Sequence, residues 1–215
     1  MGSIARNAAN KITTGGVFTS GAITNDSVTG ITVLANATDG ITLISSQTAS
    51  NSASISFTTG LDSTYKAYKF VFANIHPIND DINFQFNMST DAGSNYNVTK
   101  TTTYFRTRHS ESDATAELSY ITVFDLAQST GEAYIADSQL NDADASFSAT
   151  LTLFNPSSTT YVKHFISNCQ GYAHSPTSQN TFSAGYGNTT SAINAIRFQM
   201  SSGNFDGTIY LYGIK

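Results

Sequence analysis

The chain is short of cysteine, proline, tryptophan and charge. Its 215 residues hold one Cys, three Pro, no Trp, and only 10 basic and 15 acidic side chains. A single cysteine excludes an intrachain disulfide framework and any multi-cysteine zinc site. A net charge of −5 and a pI near 5.1 argue against a nucleic-acid surface, which needs clustered Lys and Arg to neutralise phosphates. No stretch approaches the roughly 18 consecutive apolar residues of a membrane-spanning helix, so membrane insertion is not expected. Met1 to Asn10 carries Arg6 but no apolar run of roughly 7–15 residues, so a secretory signal is not expected either.

What the chain has is small polar residues and aromatics. Ser and Thr together number 58 and Asn adds 18, over a third of the sequence. The apolar fraction is 40%, with 14 Phe and 11 Tyr, enough to build a core and to exclude disorder throughout. Their distribution divides the chain. Residues 1–50 contain one aromatic, Phe18, and four charges, Arg6, Lys11, Asp26 and Asp39; all other aromatics and charges follow. A segment so poor in large side chains buries little area against its ordering entropy. Within it Gly30-Ile31-Thr32-Val33-Leu34 recurs as Gly40-Ile41-Thr42-Leu43-Ile44, which reads as short strands separated by turns. The expected organisation is an extended, β-rich amino-terminal arm over residues 1–50 and a folded domain over 51–215.

Beyond residue 50 the apolar pattern has period 2. Ile55 and Phe57, then Tyr68, Phe70 and Phe72, then Ile82, Phe84, Phe86 and Met88 alternate with mostly polar neighbours. Phe147 to Leu153, Ile196 to Met200 and Ile209 to Leu211 repeat the pattern, and Tyr161 to Ile166 is more continuously apolar, as an interior strand is. Turn signals such as Asp91-Ala92-Gly93-Ser94, Asn155-Pro156 and Ser202-Gly203-Asn204 separate these runs. About seven to nine one-faced strands must pack as two sheets, so the expected fold is all-β, a jelly-roll-type β-sandwich. Spacing does not separate this from an immunoglobulin-like sandwich. Arg106 to Glu117 is too polar and charged for a strand on this criterion and reads as a long loop.

Candidate chemistry is sparse. His164 and Cys169 are five apart, which on a strand puts them on opposite faces, so Cys169 reads as a buried structural thiol and not as a nucleophile. His76 reads as a turn residue, His109 and His174 as solvated loop residues, and no pair has metal-ligand spacing. Asp80-Asp81, and Asp137 with Asp142 and Asp144, read as solvated loop acids; a calcium site needs roughly six to eight oxygens, and the loop lacks the Gly and the bidentate Glu. Five Asn-x-Ser/Thr sequons, at Asn25, Asn36, Asn87, Asn97 and Asn188, match the number that composition alone gives. No acid pair or nucleophile stands out, and neither an enzyme nor a cofactor is expected. A carbohydrate site would use aromatic faces, with Tyr104, Tyr172 and Tyr186 as the candidate glycan contacts in or near loops.

Several blocks carry a resemblance. Gly60-Leu61-Asp62-Ser63-Thr64-Tyr65-Lys66-Ala67-Tyr68-Lys69-Phe70-Val71-Phe72 with Asn74-Ile75-His76-Pro77 is similar to a block in small structural proteins of marine tailed bacteriophages. So are Ser89 to Tyr96, Phe154 to Thr159 and Gly207 to Ile214, and the Gly/Thr/Ser/Asn style of the amino-terminal segment resembles virion-attachment arms. The resemblance implies a virion component exposed on the particle surface, either a tail-fibre-like appendage or a capsid decoration, with other virion proteins as partners. It carries no catalytic motif. Host surface glycan is the alternative partner, for a receptor-binding module. Ile31, Val33, Leu34, Ile41, Leu43 and Ile44 are the candidate oligomer and attachment contacts. Leaving six such side chains in water forfeits several kcal/mol at roughly 25 cal/mol per Å². A closed symmetric assembly supplies that cover, and the resemblance implies a homotrimer.

Overall fold

The computed structural model describes residues 40–215. They form twelve antiparallel strands and, among the described residues, no α-helix: β1 (Ile41–Ser52), β2 (Ser54–Phe57), β3 (Ala67–Pro77), β4 (Ile82–Ser89), β5 (Lys100–Ser110), β6 (Ala116–Tyr120), β7 (Ala133–Gln139), β8 (Phe147–Phe154), β9 (Lys163–Ala173), β10 (Thr177–Gly187), β11 (Ala195–Met200) and β12 (Phe205–Ile214). The all-β, sandwich-like fold expected from the period-2 pattern is what the chain adopts. One face runs β1-β12-β3-β8-β9-β10-β5-β6 and the other β7-β4-β11-β2. The single pair Gln139↔Ala173 joins them at the β7–β9 corner, and the short β1–β2 connection brings the far ends together, so the sheet nearly closes into a barrel.

Alternation decides what lies between the faces. β3 buries Tyr68, Phe70, Phe72 and Ile75, and β8 buries Phe147, Ala149, Leu151 and Leu153. Across the gap β4 and β11 supply Phe84, Phe86, Ile196 and Phe198. Phe198 is the hub: its ring centroid lies 4.9 Å from Phe72, 5.1 Å from Phe70 and 6.3 Å from Phe57, mostly edge-to-face. Truncating such a ring to Ala removes its area and leaves a cavity, about 3–5 kcal/mol together.

Two sequence expectations change at this level. Residues 41–50, assigned to the arm, belong to β1, which pairs with β12 from Ile41↔Ile214 to Ala49↔Gly207. Arg106 to Glu117, expected as a loop, forms the end of β5, a tight turn and the start of β6. The reason is that inward residues of β5 are polar, so the strand lacks the apolar alternation that marks the others.

Candidate functional site

The densest polar cluster lies between β5, β7 and β10. On β5, Tyr104, Arg106 and Arg108 occupy alternate positions and turn inward, while Phe105 and Thr107 turn outward. Opposite them Asp137 of β7 is fully buried. Its Oδ1 accepts from the Tyr104 hydroxyl at 2.5 Å and from Gln179 Nε2 at 2.9 Å. Its Oδ2 accepts from the Arg106 guanidinium and, at 3.4 Å, from Arg108 Nη2. Gln139 Nε2 and Gln179 Nε2 donate to the Asp137 carbonyl at 2.6 and 2.8 Å, and Arg108 Nε donates to Gln179 Oε1 at 2.6 Å. Glu117 of β6 sits outside, 3.9 Å from Arg106 and 4.0 Å from Arg108, so two cations meet two carboxylates and the cluster is formally neutral.

Asp137 is therefore not a solvated loop acid, and it does not meet Asp142 and Asp144, which lie exposed in the turn before β8. Among the described residues no three His, Cys, Asp or Glu side chains come together as a metal site. Burial, then the charge of Asp137 and its hydrogen bond, push the Tyr104 phenol far above its ordinary range. Burial lowers Arg108 somewhat, with Arg106 adding to it and Asp137 opposing. With both carboxylate oxygens committed, the arrangement ties β7 to β5 and β10 and leaves no free lone pair for attack.

A second polar contact repeats the device. Lys100 and Asn87 are buried, and the ammonium donates to Asn87 Oδ1 at 2.5 Å and to the Val98 carbonyl at 2.7 Å. Burial lowers its pKa to about 8, with Glu132 pulling the other way. Cys169 is buried on β9, and burial pushes its thiol up to about 12; His164 points to the opposite, exposed face, as strand alternation requires. His76, expected in a turn, lies in β3 with Nδ1 at 2.7 Å from the Ala145 carbonyl, and His109 lies in β5 beside Asp113.

The three tyrosines named as glycan contacts do not converge. Tyr104 is inside the sandwich, out of reach of any ligand in solvent. Tyr172 and Tyr186 are on β9 and β10, not in loops, and stand in the outward register pairs Tyr172↔Ser178 and Tyr186↔His164. Eight residues of strand separate these pairs, roughly 26 Å. Tyr172 lines an open groove of about 500 Å³ with His109, Glu111, Gln170 and Ser146. Partial burial, then Glu111, Asp144 and Asp142, raise its pKa. Tyr186 lines a separate, more apolar groove of about 460 Å³ with His164, Phe154 and Ile166.

Of the candidate attachment contacts, Ile31, Val33 and Leu34 lie outside the described residues. Ile41 and Leu43 face outward on β1, 57% and 53% exposed, opposite Ile214 and Tyr212 of β12. Ile44 does not join them: next to outward-facing Leu43 it falls on the inner face by strand alternation, and it packs against the core. Comparison with protein-family models, curated proteins and solved structures gave no match.

The residues that sequence reasoning missed are Asp137, Arg106, Arg108 and Gln179. A signal was present in Tyr104-x-Arg106-x-Arg108, a polar period of 2, and in Asp137 as the lone charge of the strand Ala133–Gln139.

Proposed function

We propose that the chain is a non-enzymatic structural component of a tailed-phage virion, which docks to the particle by its amino-terminal segment and projects the sandwich from the surface as a fibre-like appendage or capsid decoration. The observation that carries the reading is the outward row Ile41 and Leu43 on β1, flanked by Ile214 and Tyr212. The row stands on the strand that continues directly from the amino-terminal segment, so cover gained by that segment is transmitted to the sheet. The resemblance of blocks 60–77, 89–96, 154–159 and 207–214 to phage structural proteins supports the setting, and a closed homotrimer through residues 28–46 belongs to the same reading. Ile31→Asp with Ile41→Asp is expected to dissociate the trimer in sedimentation, and to stop incorporation into particles, while the sandwich stays folded. A variant that still trimerises and is still incorporated refutes it.

The groove at Tyr172 favours a second reading, capture of a neutral host-surface glycan. A half-buried aromatic ring beside Gln170, His109, Glu111 and serine hydroxyls offers a stacking face and hydrogen-bond partners together. Binding of the chain to host cells should fall on Tyr172→Ala and persist on Tyr186→Ala; equal binding by both variants rules this groove out.

A further inference from the structure

Strand β6 ends one face of the sandwich: among the described residues it pairs with β5 and with nothing on its other side. Which of its backbone groups are free follows from the ladder. Ser110 N–H donates to the Thr115 carbonyl at 2.9 Å and Ile121 N–H to the Tyr104 carbonyl at 3.0 Å. In an antiparallel pair, bonded residues alternate. Residues 115, 117, 119 and 121 therefore direct their N–H and C=O toward β5, and Ala116, Leu118 and Tyr120 direct theirs away from it.

The side chains alternate too. Ala116, Leu118 and Tyr120 stand on the outer face, in register with His109, Thr107 and Phe105 of β5. Leu118 is 71% and Tyr120 58% exposed, and the patch continues through Phe105 stacked on Phe182 of β10 at 5.0 Å. Exposed edges are usually blunted by Lys, Pro or bulges. β6 has none of these, and its single charge, Glu117, lies against Arg106 and Arg108.

We propose that β6 is a self-association edge, at which two copies of the chain pair their β6 strands antiparallel about a twofold axis through Leu118. This register is singled out by complementarity. Centred on Leu118, the edge-facing residues meet as Leu118 with Leu118, Ala116 with Tyr120 and Tyr120 with Ala116, three pairs of two bonds each. Glu117 then stands opposite Ser119 of the other copy. Centring on Glu117 sets two carboxylates directly opposite each other, which is destabilising, and leaves two bonded pairs. Centring on Ser119 also leaves two. A twofold axis normal to the sheet keeps both outer faces on one side, so Leu118, Tyr120 and Phe105 of the two copies form one continuous apolar surface. The contact is isologous and separate from the amino-terminal contact proposed above; through it each copy pairs with one other copy.

The test uses the full chain. Leu118→Pro removes a donor that faces away from β5, which an edge strand tolerates, and Ser119→Glu sets a carboxylate against Glu117 of the other copy while facing Arg106 in its own sheet. Sedimentation should show each variant at a lower mass than the wild type, or the dissociation constant of pairing raised about tenfold or more. In the Ile31→Asp, Ile41→Asp background the pairing should persist as a dimer, which separates its failure from that of the trimer. Hydrogen exchange should show the amides of 116, 118 and 120 gaining protection with concentration, while 117 and 119 do not change. The proposal is overturned by a wild-type mass that neither variant alters at up to about 1 mM. It is equally overturned if protection at 116, 118 and 120 is independent of concentration, as it would be if residues 1–39 of the same chain covered the edge. If Leu118→Pro loses the wild-type circular dichroism, Ser119→Glu decides alone.

Discussion

Asp137→Asn tests the buried charge cluster most sharply, because the side chain keeps its shape and loses only its charge. In the wild type the carboxylate takes hydrogen bonds from Tyr104, Gln179, Arg106 and Arg108 inside the sandwich. With Asn, two guanidiniums remain at 14% and 22% side-chain exposure and face Glu117 alone, which lies beyond hydrogen-bond distance. An amide also presents one acceptor where four donors converge, so its own N–H₂ faces a donor. Removing one partner of a buried, hydrogen-bonded ion pair costs about 3–5 kcal/mol, mostly the penalty of the charge left behind. With a urea dependence of about 2 kcal/mol per M, the midpoint falls by about 2 M, a large share of a typical stability of about 5–15 kcal/mol. Glu117→Gln is the internal control. Its carboxylate is partly exposed and contributes below about 1 kcal/mol, so its midpoint should hardly move. Tyr104→Phe, which deletes one charge-assisted bond, belongs between them at about 1.5–3 kcal/mol. If Asp137→Asn unfolds at the same urea concentration as Glu117→Gln, the cluster is not what holds β7 against β5 and β10.

Lys100 makes stability depend on pH. Its folded pKa of about 8 lies below the ordinary lysine value of 10.5, so from pH 8 upward the unfolded chain binds more protons and stability rises. The gain is about 2 kcal/mol by pH 10, before tyrosine ionisation in the unfolded chain opposes it; thermal melts at pH 7, 8, 9 and 10 should show it, and Lys100→Met should flatten the slope. Gly207 sits at a register shift in β12 with φ +130°, and an added Cβ would lie 2.8 Å from the Asn74 carbonyl and 3.0 Å from Ile75 Cα. Gly207→Ala should cost about 1–3 kcal/mol, and an unchanged melting temperature would show that β3 yields there. Cys169, buried and with its thiol pushed up to about 12, should resist a thiol reagent at pH 8 until urea unfolds the chain; labelling at native stability would mean β9 opens locally.

The sequence by itself determined the class of fold and most of the apolar core. β3, β4, β8 and β11 bury alternate Phe, Leu and Ile side chains, and a strand with one apolar face announces itself through period 2 whatever it packs against. It also settled the opposite faces of His164 and Cys169, which depend on strand geometry alone. Only the tertiary structure decided which strands face polar ground. β5 alternates as strictly as β3, but its inward positions are Lys100, Tyr104, Arg106 and Arg108; Asn87 comes from the preceding strand β4, and Asp137 and Gln179 from strands further along the chain. An inward arginine looks like a loop residue until the carboxylate that neutralises it is placed beside it. The same holds for Tyr104, whose hydroxyl can be buried because Asp137 meets it. Burial of apolar groups follows from their own chemistry, whereas burial of charge depends on a partner that only the fold can bring.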